Sequence, residues 1–92
     1  MTREMTAPVA PADVLRAARD FFTGPGRMAD AWIDSESDSH ISFCTFRGNL
    51  AVGATPDPDA PGRSRVRVST LREEGLVPRL VAYLGSLAAE RV

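Results

Sequence analysis

The stretch IDSESDSHISF, residues 33–43, contains the residue types most often used in protein chemistry. Its acidic residues Asp34, Glu36 and Asp38 are separated by serines. The first three oxygen ligands of a calcium-binding loop occupy alternating positions in the same way. Such a loop also needs a glycine at its sixth position and a bidentate glutamate at its twelfth, where this chain has Ser39 and Thr45. Serine and aspartate are ordinary turn residues that bond their own backbone. The sequence therefore predicts a solvated hairpin tip, with no metal site and no cofactor.

His40 and Cys44 are the residue types of a catalytic base and its nucleophile. They lie four positions apart in one predicted strand, which separates their Cα atoms by roughly 13 Å. A catalytic dyad needs contact at about 3 Å, and one Cys with one His supplies too few ligands for a closed zinc site. We therefore expect no enzyme. A site assembled across a dimer from these two residues is the least favoured alternative.

Length and composition favour one small domain. The chain has 92 residues and a formal net charge of -1, so no bulk charge indicates a nucleic-acid or anionic-membrane partner. No apolar run approaches the roughly 20 residues of a membrane span, and the first residues lack the apolar core of a signal peptide. The single cysteine excludes an intramolecular disulfide and favours a reducing compartment. These features predict a cytoplasmic protein without membrane contact.

The apolar pattern predicts a helix, four strands and a second helix. The expected elements are a helix at 11–24, strands at 28–34, 40–46, 49–54 and 64–69, a short turn at 71–74, and a helix at 76–89. Short links between strands predict an antiparallel sheet. The expected fold is thus α+β with the order α-β-β-β-β-α, formed by residues 11–92 after a disordered tail at 1–10.

Alternation along the strands divides the predicted sheet into two faces. Both helices are expected to pack on the face that carries Ile41, Phe43, Leu50, Val52, Val66 and Val68. The opposite face carries Cys44, Phe46 and Ala51, with either Trp32 or Ile33 from the first strand. No element is left to cover this second face. An uncovered apolar patch on so short a chain is typical of an interface, so we expect a homodimer and a protein partner.

A row of arginines offers an alternative function. Arg63, Arg65 and Arg67, with Arg47 nearby, would form a basic ridge beside the exposed aromatic residues. Such a ridge is typical of a nucleic-acid surface, but also of an edge strand whose charges prevent aggregation. The net charge is not basic and no RNA-binding motif is present, so nucleic acid is the less favoured partner.

Residues 21–88 resemble the C-terminal half of the EspG-type chaperones of type VII (ESX) secretion. The resemblance consists of a strand after a Gly-containing break, the hairpin FCTFRGNL, a Pro/Asp/Gly loop, and the segment VRVSTLREEGLVPRLVAYLGSL. Thr45 and Gly48 match the turn of that family. Cys44 stands where the family tends to have Asp, and Asn49-Leu50 replaces its Arg-Tyr pair. The architecture also resembles that of type III secretion chaperones, which dimerise.

The resemblance implies a chaperone-like function. EspG-type chaperones consist of two related halves and bind the hydrophobic helical tip of a secreted protein. A homodimer of this chain would imitate the two halves. The sequence thus predicts a non-enzymatic protein-binding domain, a secretion-chaperone-like or adaptor protein, whose partner-binding residues are Trp32, Cys44, Phe46, Ala51, Arg65 and Arg67.

Overall fold

Two helices pack on one face of a five-stranded antiparallel sheet in the computed structural model, which describes residues 2–24 and 31–87. The elements in chain order are β1 (Thr2–Ala7), α1 (Pro11–Thr23), β2 (Trp32–Glu36), β3 (His40–Cys44), β4 (Asn49–Pro56), β5 (Ser64–Leu71), a 3-10 turn (Glu74–Leu76) and α2 (Val77–Gly85). Across the sheet the order is β1-β5-β4-β3-β2. The predicted α+β class, antiparallel sheet and two helices are confirmed.

The predicted count of four strands is wrong, because most of the segment expected to be a disordered tail forms β1. This strand pairs with β5 along its whole length. Its side chains carry little apolar signal, since only Ala7 is buried and Met5 is half-buried against the core. Backbone pairing therefore holds β1 in place. The link between β1 and α1 is also held to β5, because the buried Ser64 hydroxyl donates a hydrogen bond to the Val9 carbonyl at 2.6 Å.

Other element bounds differ from the prediction by a few residues. β2 continues to Glu36, and residues 28–30 of its predicted span lie outside the described ranges. β3 ends at Cys44, so Phe46 lies in the following turn instead of the strand. β5 continues to Leu71. α2 ends at Gly85, and positions 88–89 of the predicted helix lie outside the described ranges.

The core lies between the sheet and the two helices. All six residues of the predicted core face are buried: Ile41, Phe43, Leu50, Val52, Val66 and Val68. From α1, Phe22 packs on Phe43 with ring centroids 4.4 Å apart, and Phe21 packs on Tyr83 of α2 at 5.4 Å. Burial of each such side chain contributes on the order of 1.5–3 kcal/mol. Neither helix in the described ranges is long and apolar enough to cross a membrane.

Removal of residues 1–6 tests the assignment of β1. The truncation leaves the edge of β5 unpaired, so we expect a loss of at least about 1 kcal/mol of unfolding free energy, roughly 4–8 °C in Tm. Thermal melting followed by circular dichroism measures it. The control is Glu4→Ala, which keeps the backbone pairing and changes the stability by less than about 0.5 kcal/mol. An unchanged Tm after truncation would show that the segment is a tail.

Candidate functional site

The face of the sheet opposite the helices is the candidate site, and we call it the open face. Alternate residues of each strand point towards it, and the strand register orders them into four rows. The rows are Trp32, Cys44, Asn49 and Leu71; then Ser35, Ser42, Ala51, Ser69 and Thr2; then His40, Gly53, Arg67 and Glu4; then Thr55, Arg65 and Thr6. The six predicted partner-binding residues are therefore spread over the whole face instead of forming one patch.

Large apolar side chains are concentrated at one end of the open face. In the described part of the chain, the exposed large hydrophobic residues are Trp32, Phe46 and Leu71, with relative exposures of 48%, 91% and 60%. The Trp32 and Phe46 rings meet edge to face, with centroids 5.5 Å apart and an interplanar angle of 69°. We call these three residues the apolar corner. Of the two alternatives predicted for this face, Trp32 lies on it and Ile33 packs against the core.

The turn between β3 and β4 holds Phe46 at the apolar corner. The Thr45 N–H donates to the Gly48 carbonyl at 2.8 Å. The Thr45 hydroxyl oxygen accepts from the N–H groups of Arg47 at 3.1 Å and Gly48 at 3.0 Å. A Cβ at Gly48 would lie 1.9 Å from the Leu71 carbonyl oxygen, so only glycine fits against the end of β5. Phe46 is thus exposed on a turn with its own hydrogen bonds.

Cys44 contributes a half-buried free thiol to the first row. Desolvation raises the pKa of the Cys44 thiol above its usual value, and the charge and hydrogen bond of Asp34 raise that pKa further. A thiol with a raised pKa stays protonated at neutral pH and is a weak nucleophile. His40 lies at the opposite end of the same strand. Within one chain the two residues therefore form no dyad.

The three alternating carboxylates of the opening stretch are separated in the structure. The register of β2 shifts between Ile33 and Ser35, and Asp34 lies beside Cys44. Glu36 instead forms an ion pair with Arg19 of α1. Asp38 lies in the connection to β3. The residues that the structure describes contain no group of three or more His, Cys, Asp or Glu able to hold a metal ion.

The predicted arginine ridge is divided. Arg65 ion-pairs with Asp57 at 3.8 Å and with Asp59 at 3.6 Å. Arg47 is not nearby: it lies at the other end of the sheet, roughly 20 Å along β5 from Arg65, where it pairs with Glu73 at 3.8 Å. Carboxylates of the chain thus compensate much of this positive charge.

A shallow cavity of about 620 Å³ opens at the end of the open face opposite the apolar corner. Its lining residues include Glu4, Arg65, Arg67 and Gly53, the last of which has no side chain to fill it. Neither Gly53 nor Leu71 is among the site residues predicted from the sequence. Leu71 shares the parity of Arg65 and Arg67, so extending β5 by two residues would have placed it on this face.

Comparison with known proteins assigns the chain to no family. No protein-family model matches the sequence, and no curated protein matches it significantly. The geometry of the open face is therefore the main basis for a functional proposal.

Proposed function

We propose that the chain is a non-enzymatic protein-binding domain that binds an apolar segment of a partner protein at the apolar corner. The supporting observation is the arrangement of Trp32, Phe46 and Leu71 at one end of a sheet face that no helix of the described chain covers. Isolated exposed apolar residues are ordinary on protein surfaces. Here two aromatic rings are in contact, one of them on a hydrogen-bonded turn, and a third large apolar residue lies at the same end of the face, which is typical of an interaction surface.

Magnitudes favour the apolar corner over the arginines as the source of affinity. Burial of Phe46 or Trp32 against a partner contributes on the order of 1.5–3 kcal/mol each. An exposed ion pair at Arg65 or Arg67 contributes roughly 0–1 kcal/mol. Arg65 also has to leave or share its two aspartates to bind another acid. Apolar contacts therefore set the strength of binding, and the arginines orient the partner.

The resemblance to EspG-type chaperones suggests the kind of partner. On this basis the proposed partner is a secreted protein that presents an apolar helical tip, and the chain would bind it in the cytoplasm before the partner is exported. Trp32, Phe46 and Leu71 offer side chains of the type that such a tip needs, at the rim of a sheet whose next row is made of small residues. The proposal is therefore a chaperone-like or adaptor role.

A photoreactive phenylalanine analogue at position 46 tests the proposed function. Irradiation in the native host should cross-link one protein at position 46 and give no such product from the exposed control position Ala82. The affinity of the purified partner should then fall at least about tenfold in Phe46→Ala, the loss of about 1.4 kcal/mol or more expected for an aromatic side chain. Arg65→Ala should change it by less than about fivefold.

Circular dichroism must show each variant folded. Equal cross-linking at positions 46 and 82 would contradict the proposal. The proposal would also be contradicted if Phe46→Ala bound the partner normally while Arg65→Ala and Arg67→Ala did not bind it. In that case added salt should also abolish binding by the wild type. That pattern would favour a nucleic-acid or other anionic partner.

We also propose that the chain forms a homodimer through the apolar corner when no partner is bound. Light scattering after size exclusion should give twice the chain mass at micromolar concentration, because a second copy buries the corner. Phe46→Ala should shift the mass towards that of the monomer. Arg16→Ala, on the exposed side of α1, is the control and should not. A monomer mass for the wild type across the concentration series would contradict the dimer.

A further inference from the structure

Gly53 is a glycine that the fold does not require. A Cβ at this position would meet no atom closer than the Ser39 carbonyl oxygen at 3.9 Å and the Arg67 carbonyl oxygen at 4.0 Å. Its φ angle lies outside the left-handed region. At Gly48, in contrast, a Cβ would overlap the backbone. Glycine in a strand interior costs stability, so what Gly53 contributes is space: it leaves an opening in the third row of the open face.

The opening lies beside the arginine at position 67. Arg67 is the direct cross-strand neighbour of Gly53 on β5. Both residues line the cavity of about 620 Å³. Unlike Arg65, Arg67 has no ion pair among the residues of 2–24 and 31–87. Glu4 faces Arg67 across the β1–β5 pairing, but no bond joins their side chains in the described chain.

The other polar groups of the cavity also suit a carboxylate. Arg65 lies in the next row, between Thr6 and Thr55, and all three residues line the cavity. Guanidinium and hydroxyl groups donate hydrogen bonds, and the planar guanidinium binds a carboxylate through two of them. Glu4 is the opposing charge on the wall. The electrostatic attraction of an acidic ligand is therefore strongest on the Gly53 side of the cavity, next to Arg67 and away from Glu4.

The cavity and the apolar corner lie on one continuous face. Leu71 and Arg67 lie four residues apart on β5, which separates their Cα atoms by roughly 13 Å. The row between them is flat, because its members are small: Ser35, Ser42, Ala51 and Ser69. An α-helix covers this distance in about nine residues. One helical segment of a partner can therefore reach both ends of the face.

We propose that the cavity beside Gly53 binds an acidic side chain of the partner segment whose apolar residues occupy the apolar corner. The partner is then an amphipathic helix with an Asp or Glu about nine residues from its apolar anchor. This inference rests on the proposed function and adds to it the chemistry and spacing of the ligand. Arg67, which has no ion pair within 2–24 and 31–87, and the space beside Gly53 carry it.

Selection from a display library of random 20-residue peptides tests the spacing. The wild-type chain is immobilised, and we expect enriched peptides with a large apolar cluster and an acidic residue about nine positions away. Selection on Arg67→Glu should replace the acidic residue by Lys or Arg. Selection on Gly53→Val should lose the acidic preference and keep the apolar cluster, because the new side chain fills the floor.

A synthetic copy of the most enriched peptide then tests the contact itself. Replacing its acidic residue by the amide should weaken binding to the wild type about fivefold, and should have no effect on binding to Arg67→Ala. Arg63→Ala, outside the four rows, is the matched control and should behave as the wild type. Gly53→Val should melt at or above the wild-type Tm, since a β-branched residue suits a strand.

Each outcome decides between the two proposals. Peptides that need Phe46 but show no acidic preference would overturn this inference and leave the proposed function in place. Peptides that bind Phe46→Ala as well as the wild type, or no enrichment at all, would overturn both. A further outcome would also overturn the inference: no acidic peptide is selected, and a fluorescent single-stranded RNA binds the wild type but not Arg67→Ala. The cavity would then be a phosphate-binding site.

Discussion

The close approach of Gly48 to the Leu71 carbonyl is the constraint on which the arrangement of the candidate site depends. A Cβ at Gly48 would stand 1.9 Å from that oxygen, so the turn between β3 and β4 rests directly on the end of β5. Immediately after this contact Arg72 adopts a φ of 70°, and the chain turns away from the sheet. The turn that carries Phe46 therefore lies beside the end of β5 that carries Leu71, although the two are far apart in sequence.

Thr70 strengthens the same junction from the core side of β5. Its hydroxyl donates to the Asn49 carbonyl at 2.8 Å and accepts the Glu73 N–H at 3.2 Å. The Thr70 hydroxyl thus caps the start of the following 3-10 turn, and the Glu73 carboxylate pairs with Arg47 of the turn between β3 and β4. The apolar corner is consequently fixed by β4, β5 and the approach to α2 together.

The parts of the fold that can be predicted from the sequence are those where a buried face gives a regular spacing of apolar residues. Phe22 and Phe43 lie on regularly apolar faces, and they meet in the core as expected. β1 was missed because its pairing with β5 is a property of the backbone and leaves no apolar alternation in the side chains. Phe46 was assigned to a strand because the hydrogen bonds of the Thr45 hydroxyl, which end β3, do not appear in an apolar pattern.

The edges of the sheet offer less to a partner than its open face does. β1 and β2 form the two edges, and charged side chains occur on both: Arg3 and Glu4 on one, Asp34 and Glu36 on the other. The register shift in β2 interrupts regular pairing as well. Charges and bulges of this kind oppose the addition of a further strand. Contact through the side chains of the open face is therefore the interaction that the architecture favours.

Backbone dynamics of the turn between β3 and β4 test the central claim most directly, namely that Phe46 is held in a fixed, exposed position. Amide 15N relaxation should give order parameters for Phe46, Arg47 and Gly48 of about 0.85, equal to those of Val52 within β4. Such values would show a turn fixed by the Thr45 hydroxyl and by the contact with β5. Order parameters below about 0.6 at these three amides, with Val52 rigid, would contradict the account, because the exposed ring would then belong to a flexible loop.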